Sequence, residues 1–320
     1  MPVTATTCPQ LEIARFQLVY QAPSTARRPV YLGSAWRGAL GHALRGLACV
    51  TGLDSCQNCP LSPTCSYSYL FETPIPESAT RMRRYTSAPH PFVLQVPDPA
   101  APSTGPNEYI LGLSVCGRGN RYLPYLFHAL RSIGQPSKGS QLAGFKLERI
   151  LREERVGEGN WVPVESSPGE VTDVSSHVPV PGVLPSRILI NFLTPLRLLR
   201  DGRLVRPEAF RFSDLFSSLL RRLSMLMYFH QGLDLAVDYQ SLTQQATDIE
   251  FSTQALRWRE WSRYSSRQRS SIRMDGLIGD VMLEGGDIEP FWPYLWLGQW
   301  LHTGKGTSMG LGDYRLKDLG

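Results

Sequence analysis

The chain has 320 residues, of which 42% are apolar and 19% are charged, and this is the composition of a globular protein with room for two hydrophobic cores. No apolar run approaches the length of a membrane span, and the N-terminus lacks a basic region followed by an apolar stretch, so we expect a cytoplasmic protein without membrane association. The net charge of +5 is too small to indicate nucleic acid by itself.

The first half predicts the element order β-α-β-β-α-β. A strand at 11–20 shows a slip in its alternation at Ala14 and Arg15, which is typical of a β-bulge. A helix follows, with Ser34 as its N-cap. The remaining elements are strands at 91–96 and 108–115, a helix at 121–133 and a strand at 145–153.

The helix that begins near Ser34 places one histidine away from the core. His42 lies about 150° from the middle of an apolar stripe that is formed by Trp36, Leu40, Ala43, Leu44 and Leu47. Glycines on the polar side each cost about 1 kcal/mol relative to alanine, so they indicate close approach by another molecule. These glycines are Gly38, Gly41 and Gly46. His42 with Arg45 is therefore a candidate acid–base and phosphate-binding pair, although a solvated histidine is the alternative.

Four cysteines follow this helix with the spacing Cys-x6-Cys-x2-Cys-x5-Cys. Their thiolates suit a tetrahedral zinc ion, because disulfides are disfavoured in a reducing cytoplasm and the loop has few apolar residues of its own. We predict a structural zinc site, with an iron–sulfur cluster or free thiols as alternatives. The predicted ligands are Cys49, Cys56, Cys59 and Cys65.

The second half repeats the element order after a segment rich in Gly, Pro and Ser at 157–185. Its elements are a strand at 187–194, a helix at 212–230, a hairpin of 257–273 with 276–285, a helix from Pro290 and a strand at 311–318. We predict an α+β fold of tandem ferredoxin-like (RRM-like) domains, 1–156 and 186–320, joined by a linker at 157–185. The first domain carries the inserted cysteine loop at 49–65.

A glycine-rich loop connects the last helix to the last strand. Lys305 is followed by Gly306 instead of Ser or Thr, and too few residues remain for a βαβ unit, so neither nucleotide-binding motif fits. A flexible turn with one lysine could still bind an anion through its N–H groups. The glycines are Gly304, Gly306, Gly310 and Gly312.

The basic residues concentrate in one segment, 257–273, which has six arginines against one glutamate. Three aromatic residues, Trp258, Trp261 and Tyr264, alternate with them. This distribution favours nucleic acid more than the net charge does, although strand alternation would direct only some of the side chains to one face. The arginines are Arg257, Arg259, Arg263, Arg267, Arg269 and Arg273.

These features together resemble the CRISPR-associated RAMP endoribonucleases that process precursor CRISPR RNA. The resemblance is strongest over 187–320, in segments such as YSSRQRSSIRMDGLIGDVML and PYLWLGQWLHTGKGTSMGLGDYRL. The first half adds RGALGHALRGLAC, CSYSYLFETP and PHPFVL. The glycine loop is shared with non-cleaving RAMP proteins, so a non-catalytic RNA-binding subunit of an effector complex is the alternative.

The resemblance implies cleavage of repeat RNA without a catalytic metal or other cofactor. The 2′-hydroxyl attacks the phosphorus and leaves a 2′,3′-cyclic phosphate and a 5′-hydroxyl. Family members place a histidine on the first helix, often with a tyrosine nearby, which His42 and Tyr31 match; His302 is the rival histidine. The resemblance also implies RNA contacts by Arg37, Arg45, Lys305, the four loop glycines and the six arginines of 257–273, which would bind the RNA backbone. CRISPR repeat RNA is the implied partner, along with other CRISPR-associated effector subunits.

Overall fold

The structure is a computed structural model that describes residues 9–23, 31–82, 87–97, 107–135, 141–164, 176–253, 255–265 and 270–320. The chain divides into two compact units. The N-terminal unit contains Leu11–Val178 and Met225–Leu233, and the C-terminal unit contains Pro179–Ser224 and Asp234–Gly320. No helix in the described part of the chain is long and apolar enough to cross a membrane.

The N-terminal unit has the ferredoxin-like order that the sequence predicts. Its strands are all paired antiparallel, in the spatial order β2-β3-β1-β4-β5, and β6 pairs with the start of β1. The elements are β1 (Glu12–Gln21), α1 (Gly33–Ala48), β2 (Phe92–Gln95), β3 (Glu108–Cys116), α2 (Leu123–Ser132), β4 (Lys146–Glu153), β5 (Trp161–Pro163) and β6 (Ser176–His177). The strands β5 and β6 lie within the segment that we expected to be a linker.

Two local predictions for this unit are wrong. The helix α1 begins at Gly33 with Leu32 at the N-cap position, so Ser34 is inside the helix and does not cap it. The pairing of β1 with β3 is continuous through Ala14 and Arg15, so no bulge lies there. The alternation of apolar and polar residues in β1 is irregular here because Arg15, which was expected on the solvent face, is buried in an ion pair with Glu153.

The C-terminal unit repeats the fold with a sheet in the order β10-β14-β7-β15, and β11 also pairs with β14. The elements are β7 (Arg187–Leu196), β8 (Leu199–Arg200), β9 (Arg203–Leu204), α3 (Phe212–Gln231), α4 (Tyr239–Gln245), β10 (Phe251–Ser252), β11 (Arg257–Arg259), β12 (Ser262–Ser265), β13 (Ser270–Arg273), β14 (Gly276–Glu284), α5 (Trp292–Leu301) and β15 (Tyr314–Asp318). The arginine-rich segment is therefore not one strand. Of the described strands of this segment, β11 alone joins the sheet, while β12 and β13 pair with each other.

The last turns of α3 belong to the N-terminal unit, although the helix begins in the C-terminal one. His230, in these turns, is 1% exposed. Its Nδ1 lies 2.8 Å from the hydroxyl of Tyr69, and its Nε2 lies 2.7 Å from the carbonyl oxygen of Pro89. The N-terminal unit thus uses a segment that comes after Pro179 in the chain to complete its packing.

Candidate functional site

The helix α1 presents His42 to solvent. Trp36, Leu40 and Leu44 are fully buried in the N-terminal core and Ala43 packs against it, as the apolar stripe predicts, but Leu47 near the end of the helix is exposed. His42 lies on the opposite side of the helix and is exposed. Its imidazole can therefore be reached by a large substrate, which a general acid or base acting on RNA requires.

The three glycines of α1 have two different roles. A Cβ on Gly38 or Gly46 would have no described atom within 4 Å, so these positions leave open surface one turn before and one turn after His42. Gly41 differs, because its Cβ would lie 2.4 Å from Cζ of Phe71. The Phe71 ring therefore occupies the space that a side chain at position 41 would need. This corrects the expectation that all three glycines leave room for a ligand.

The two arginines of α1 are both engaged within the N-terminal unit. Arg45 donates a hydrogen bond to the carbonyl oxygen of Leu53, in the cysteine loop, so it helps to hold that loop. Arg37 donates from Nη2 to Nε2 of His90 over 3.1 Å, and its Cζ lies 4.3 Å above the centre of the Phe71 ring. Arg37 is thus held in a defined orientation beside the Gly38 surface.

Tyr31, the tyrosine that the resemblance places near His42, lies two residues before the start of α1. It is partly buried and packs against the N-terminal hydrophobic core. Its ring therefore contributes to packing, and the part of the side chain that remains accessible keeps it a candidate for contact with substrate.

The glycine-rich loop of the C-terminal unit is tied closely to the end of β7. The N–H groups of Lys305 and Gly312 donate to the carbonyl oxygens of Arg197 and Pro195, each over 3.1 Å. The hydroxyl of Thr194 donates to the carbonyl oxygen of Gly310 over 2.8 Å. The loop is therefore internally bonded and largely buried, which corrects the expectation of a flexible turn.

The glycines of this loop are required by its backbone. The φ angles of Gly304, Gly306, Gly310 and Gly312 are +79°, +83°, +85° and +70°, a region that favours glycine. A Cβ on Gly312 would lie 1.8 Å from the carbonyl oxygen of Thr303. Lys305 is the most exposed residue of the loop, so a ligand approaching the loop would meet its ammonium group first.

His302 is fully buried at the end of α5. Its Nδ1 donates to the carbonyl oxygen of Leu311 over 3.2 Å, and its Nε2 lies 3.5 Å from Oδ1 of Asp313. Burial lowers the pKa of His302 to about 4, although the Asp313 carboxylate acts in the opposite direction. These contacts favour a role in holding the glycine loop over direct contact with a substrate.

The arginine-rich segment is only partly described. In β11, Arg257 and Arg259 share one face of the strand, and Trp258 lies on the other. The guanidinium of Arg259 lies 4.5 Å from the centre of the Trp261 ring, and Arg273 is exposed. Arg267 and Arg269 lie outside the described residues, as does the side chain of Arg263.

Two thiols of the cysteine loop, those of Cys49 and Cys59, lie close to the hydroxyl of Thr51. The Oγ1 atom of Thr51 lies 3.8 Å from Sγ of Cys49 and 3.6 Å from Sγ of Cys59. A hydrogen bond from the Gly52 backbone, followed by one from Thr51, lowers the pKa of Cys49 and so favours its thiolate. No group of three or more His, Cys, Asp or Glu side chains among the described residues is disposed to hold a metal ion, so the zinc site stays a prediction.

One residue of this region escaped the sequence analysis, namely His90. It stands between Pro89 and Pro91, directly before β2, and contacts Arg37 of α1. A histidine between two prolines at the start of a strand is held in an extended backbone, and this is the signal that could have singled it out.

Two families match successive parts of this chain. Residues 11–175 match a family described as an N-terminal domain, and residues 190–314 match the CRISPR-associated endoribonuclease Cas6 family. An uncharacterised protein of Archaeoglobus fulgidus is 25% identical over 171 residues, which are 52% of this chain. The match covers 56% of that relative, so this chain spans little more than half of its length.

Solved Cas6 structures share the fold. Thermus thermophilus Cas6 superposes with a TM-score of 0.53 at 15% identity, over 96% of this chain and 99% of that one. A Cas6 product complex gives 0.54 at 18% identity, over 96% and 100%. A partial Cas6-RT-Cas1–Cas2 complex gives 0.57 at 17% identity, over 96% of this chain and 46% of that one.

The family matches cover most of both units, and the antiparallel sheets with their flanking helices agree with the tandem ferredoxin-like fold of the Cas6 structures. Residues 190–314 therefore belong to the CRISPR-associated Cas6 endoribonuclease family, and the chain as a whole has the fold of the RAMP proteins of the Cas6 type.

Proposed function

We propose that this protein is an endoribonuclease that cleaves precursor CRISPR RNA within its repeats. The match of residues 190–314 to the Cas6 endoribonuclease family supports this class of activity. One observation supports a location for the reaction. His42 is exposed on α1, away from the core, and the surface is open at Gly38 and Gly46 on either side of it.

The proposed reaction is attack of a 2′-hydroxyl on the adjacent phosphorus. The 2′-oxygen forms a bond to phosphorus while the bond to the 5′-oxygen breaks, which gives a 2′,3′-cyclic phosphate and a 5′-hydroxyl. One proton must leave the 2′-hydroxyl and one must reach the departing 5′-oxygen. We assign one of these transfers to the His42 imidazole, and Tyr31 is the candidate for the other.

Cationic side chains are needed because negative charge accumulates on the phosphate oxygens during attack. We assign Arg37 to this role in the N-terminal unit. In the C-terminal unit, we propose that Lys305 and the exposed Arg257 and Arg273 bind the RNA backbone, for which exposed cations of this kind are suited. The reaction is proposed to need no metal ion.

The test is cleavage of a repeat RNA in EDTA, alongside the same RNA with a 2′-deoxy nucleotide at the cut site. The proposal expects cleavage of the first RNA only. His42→Ala should abolish most cleavage while RNA binding remains. The matched control is His128→Ala, because His128 is also exposed on a helix of the N-terminal unit. Folding must be checked in EDTA, since a chelator could also remove a structural metal.

His302→Ala separates the two histidines. A buried residue that holds the glycine loop should affect stability and RNA affinity, while the rate of the bound complex should change little. If both histidine variants cut at the wild-type rate, the catalytic assignment is wrong. If the wild-type protein binds repeat RNA tightly and does not cut it, the alternative function, an RNA-binding subunit of a CRISPR effector complex, replaces the proposed one.

A further inference from the structure

Three costly features of the backbone meet beside α1. Residues Ser68–Glu72 form a short π-helix, which is rare and frequent at functional sites. Thr73, which follows it, is β-branched and has a φ of +49°, a conformation that costs about 1–3 kcal/mol. Gly41 of α1 has no side chain, and this lets the Phe71 ring pack directly against the helix. Such features persist only where the surrounding structure requires them.

Their combined result is a fixed orientation for His90. The Nδ1 atom of His90 lies 2.7 Å from Oγ1 of Thr73, and its Nε2 lies 3.1 Å from Nη2 of Arg37. A guanidinium can only donate, so Nε2 accepts from Arg37 and the proton is on Nδ1, where it is donated to Thr73. This network selects one tautomer of a neutral imidazole.

The rings around Arg37 also fix the plane of its guanidinium. Phe71 and His90 are nearly parallel, with ring centres 6.1 Å apart and an interplanar angle of 23°. His90 and Phe92 are 5.8 Å apart at 16°. Arg37 lies over Phe71 on this stack, so both its position and its plane are set before any ligand arrives. A long side chain that is ordered in advance loses less entropy on binding.

The place of Arg37 on α1 relates this stack to His42. Five residues of an α-helix correspond to about 7.5 Å along the axis and about 140° around it, so Arg37 and His42 leave α1 on different sides. Between the two residues lies Gly38, whose surface is open. Gly38 is about 40° around the helix from His42 and about 100° from Arg37, so RNA that lies on Gly38 is beside His42 and is reached by Arg37 through its long side chain.

We propose that His90 is a positioning residue that orients the Arg37 guanidinium towards a phosphate of the bound RNA next to His42. The N–H groups of Arg37 then bind the negative charge that builds up on the phosphate oxygens during attack. This inference rests on the proposed endoribonuclease function. A stack that served packing alone would need the ring of His90 but not its Nε2 acceptor.

The variants of His90 separate the ring from the acceptor. His90→Phe keeps an aromatic ring in the stack and removes the acceptor, whereas His90→Gln offers an amide oxygen to Arg37. We expect Arg37→Ala to lower the single-turnover cleavage rate about 100-fold, as the loss of one charge-stabilising donor does. We expect about a tenfold loss for His90→Phe and a rate within about threefold of wild type for His90→Gln.

The double variant Arg37→Ala with His90→Phe tests whether one residue acts through the other. If it does, His90→Phe should cost less than about twofold when Arg37 is already absent. The control is Arg131→Ala, which removes an equal charge from an exposed position on α2. Rates are measured at saturating protein, and dissociation constants and melting temperatures are measured for every variant.

Several outcomes would overturn the inference. These are a wild-type rate for His90→Phe, independent effects of the two substitutions, and equal losses for His90→Gln and His90→Phe at full RNA occupancy. If His90→Phe does not fold, Arg37→Lys decides, because lysine keeps the charge and loses the planar donor; a wild-type rate for it would contradict an oriented guanidinium. A wild-type protein that cuts no RNA would instead refute the proposed function itself.

Discussion

Acidification should destabilise the C-terminal unit through His302. This side chain is fully buried, and its burial lowers its pKa from 6.5 to about 4. Between these two values the unfolded chain binds a proton that the folded chain does not. The free energy of unfolding should therefore be fully retained above pH 6.5 and decrease as the pH falls towards 4.

The size of the effect follows from the shift. One pKa unit corresponds to about 1.4 kcal/mol, so a shift of this size makes the loss about 3 kcal/mol between pH 6.5 and pH 4. The Asp313 carboxylate, with Oδ1 3.5 Å from Nε2, opposes the effect of burial and is already included in it. Because Oδ1 of Asp313 also accepts from Arg315 over 2.6 Å, its charge is shared between two partners.

The assay is urea unfolding of the wild type and of His302→Gln at several pH values, followed by tryptophan fluorescence and by hydrogen exchange of the glycine-loop amides. Other groups titrate equally in both proteins, so the difference between their unfolding free energies isolates His302. That difference should shrink by about 3 kcal/mol on acidification. Parallel curves would refute the reasoning, and a wild type that gains stability in acid would show that His302 is protonated beside Asp313 in the folded protein.

Three further predictions concern other parts of the chain. Gly38→Ala should raise the free energy of unfolding by up to about 1 kcal/mol and slow cleavage. Gly312→Ala should lower the free energy of unfolding by more than about 2 kcal/mol, and a Gly312→Ala protein as stable as the wild type would contradict the loop geometry. Lys305→Ala should reduce the salt dependence of RNA binding by about one phosphate contact, and Lys146→Ala, an exposed control on β4, should not. Elemental analysis should find one zinc ion per chain in the wild type and none in Cys56→Ser. Metal-free protein in which all four thiols of the cysteine loop react with a thiol reagent would contradict the zinc site.

The order of elements in both units could be predicted from the sequence because it depends on local periodicity. Each amphipathic segment shows its own buried face, as α1 does with Trp36 and Leu40. The same reasoning placed His42 on the solvent side, which the structure supports through its exposure. Glycine-rich connections were also visible, because a positive φ restricts the choice of residue.

Contacts between distant segments could not be predicted in this way. The burial of Arg15 depends on Glu153, which is 138 residues further along the chain. The reason for Gly41 is Phe71, and His90 contacts Arg37 from a position 53 residues later. Periodicity describes one segment at a time, so it identifies a buried or exposed face and not the partner that meets it.

Because α3 contributes residues to both units, the choice of boundaries for expressing one unit alone is restricted. A gene truncated after Val178 would encode nearly all of the N-terminal unit but omit Met225–Leu233. The fragment would lack His230, so the hydroxyl of Tyr69 and the carbonyl oxygen of Pro89 would lose their buried partner. We expect such a fragment to be poorly soluble when expressed alone. The two halves thus resemble duplicated modules in their fold, yet they are not interchangeable parts for domain shuffling.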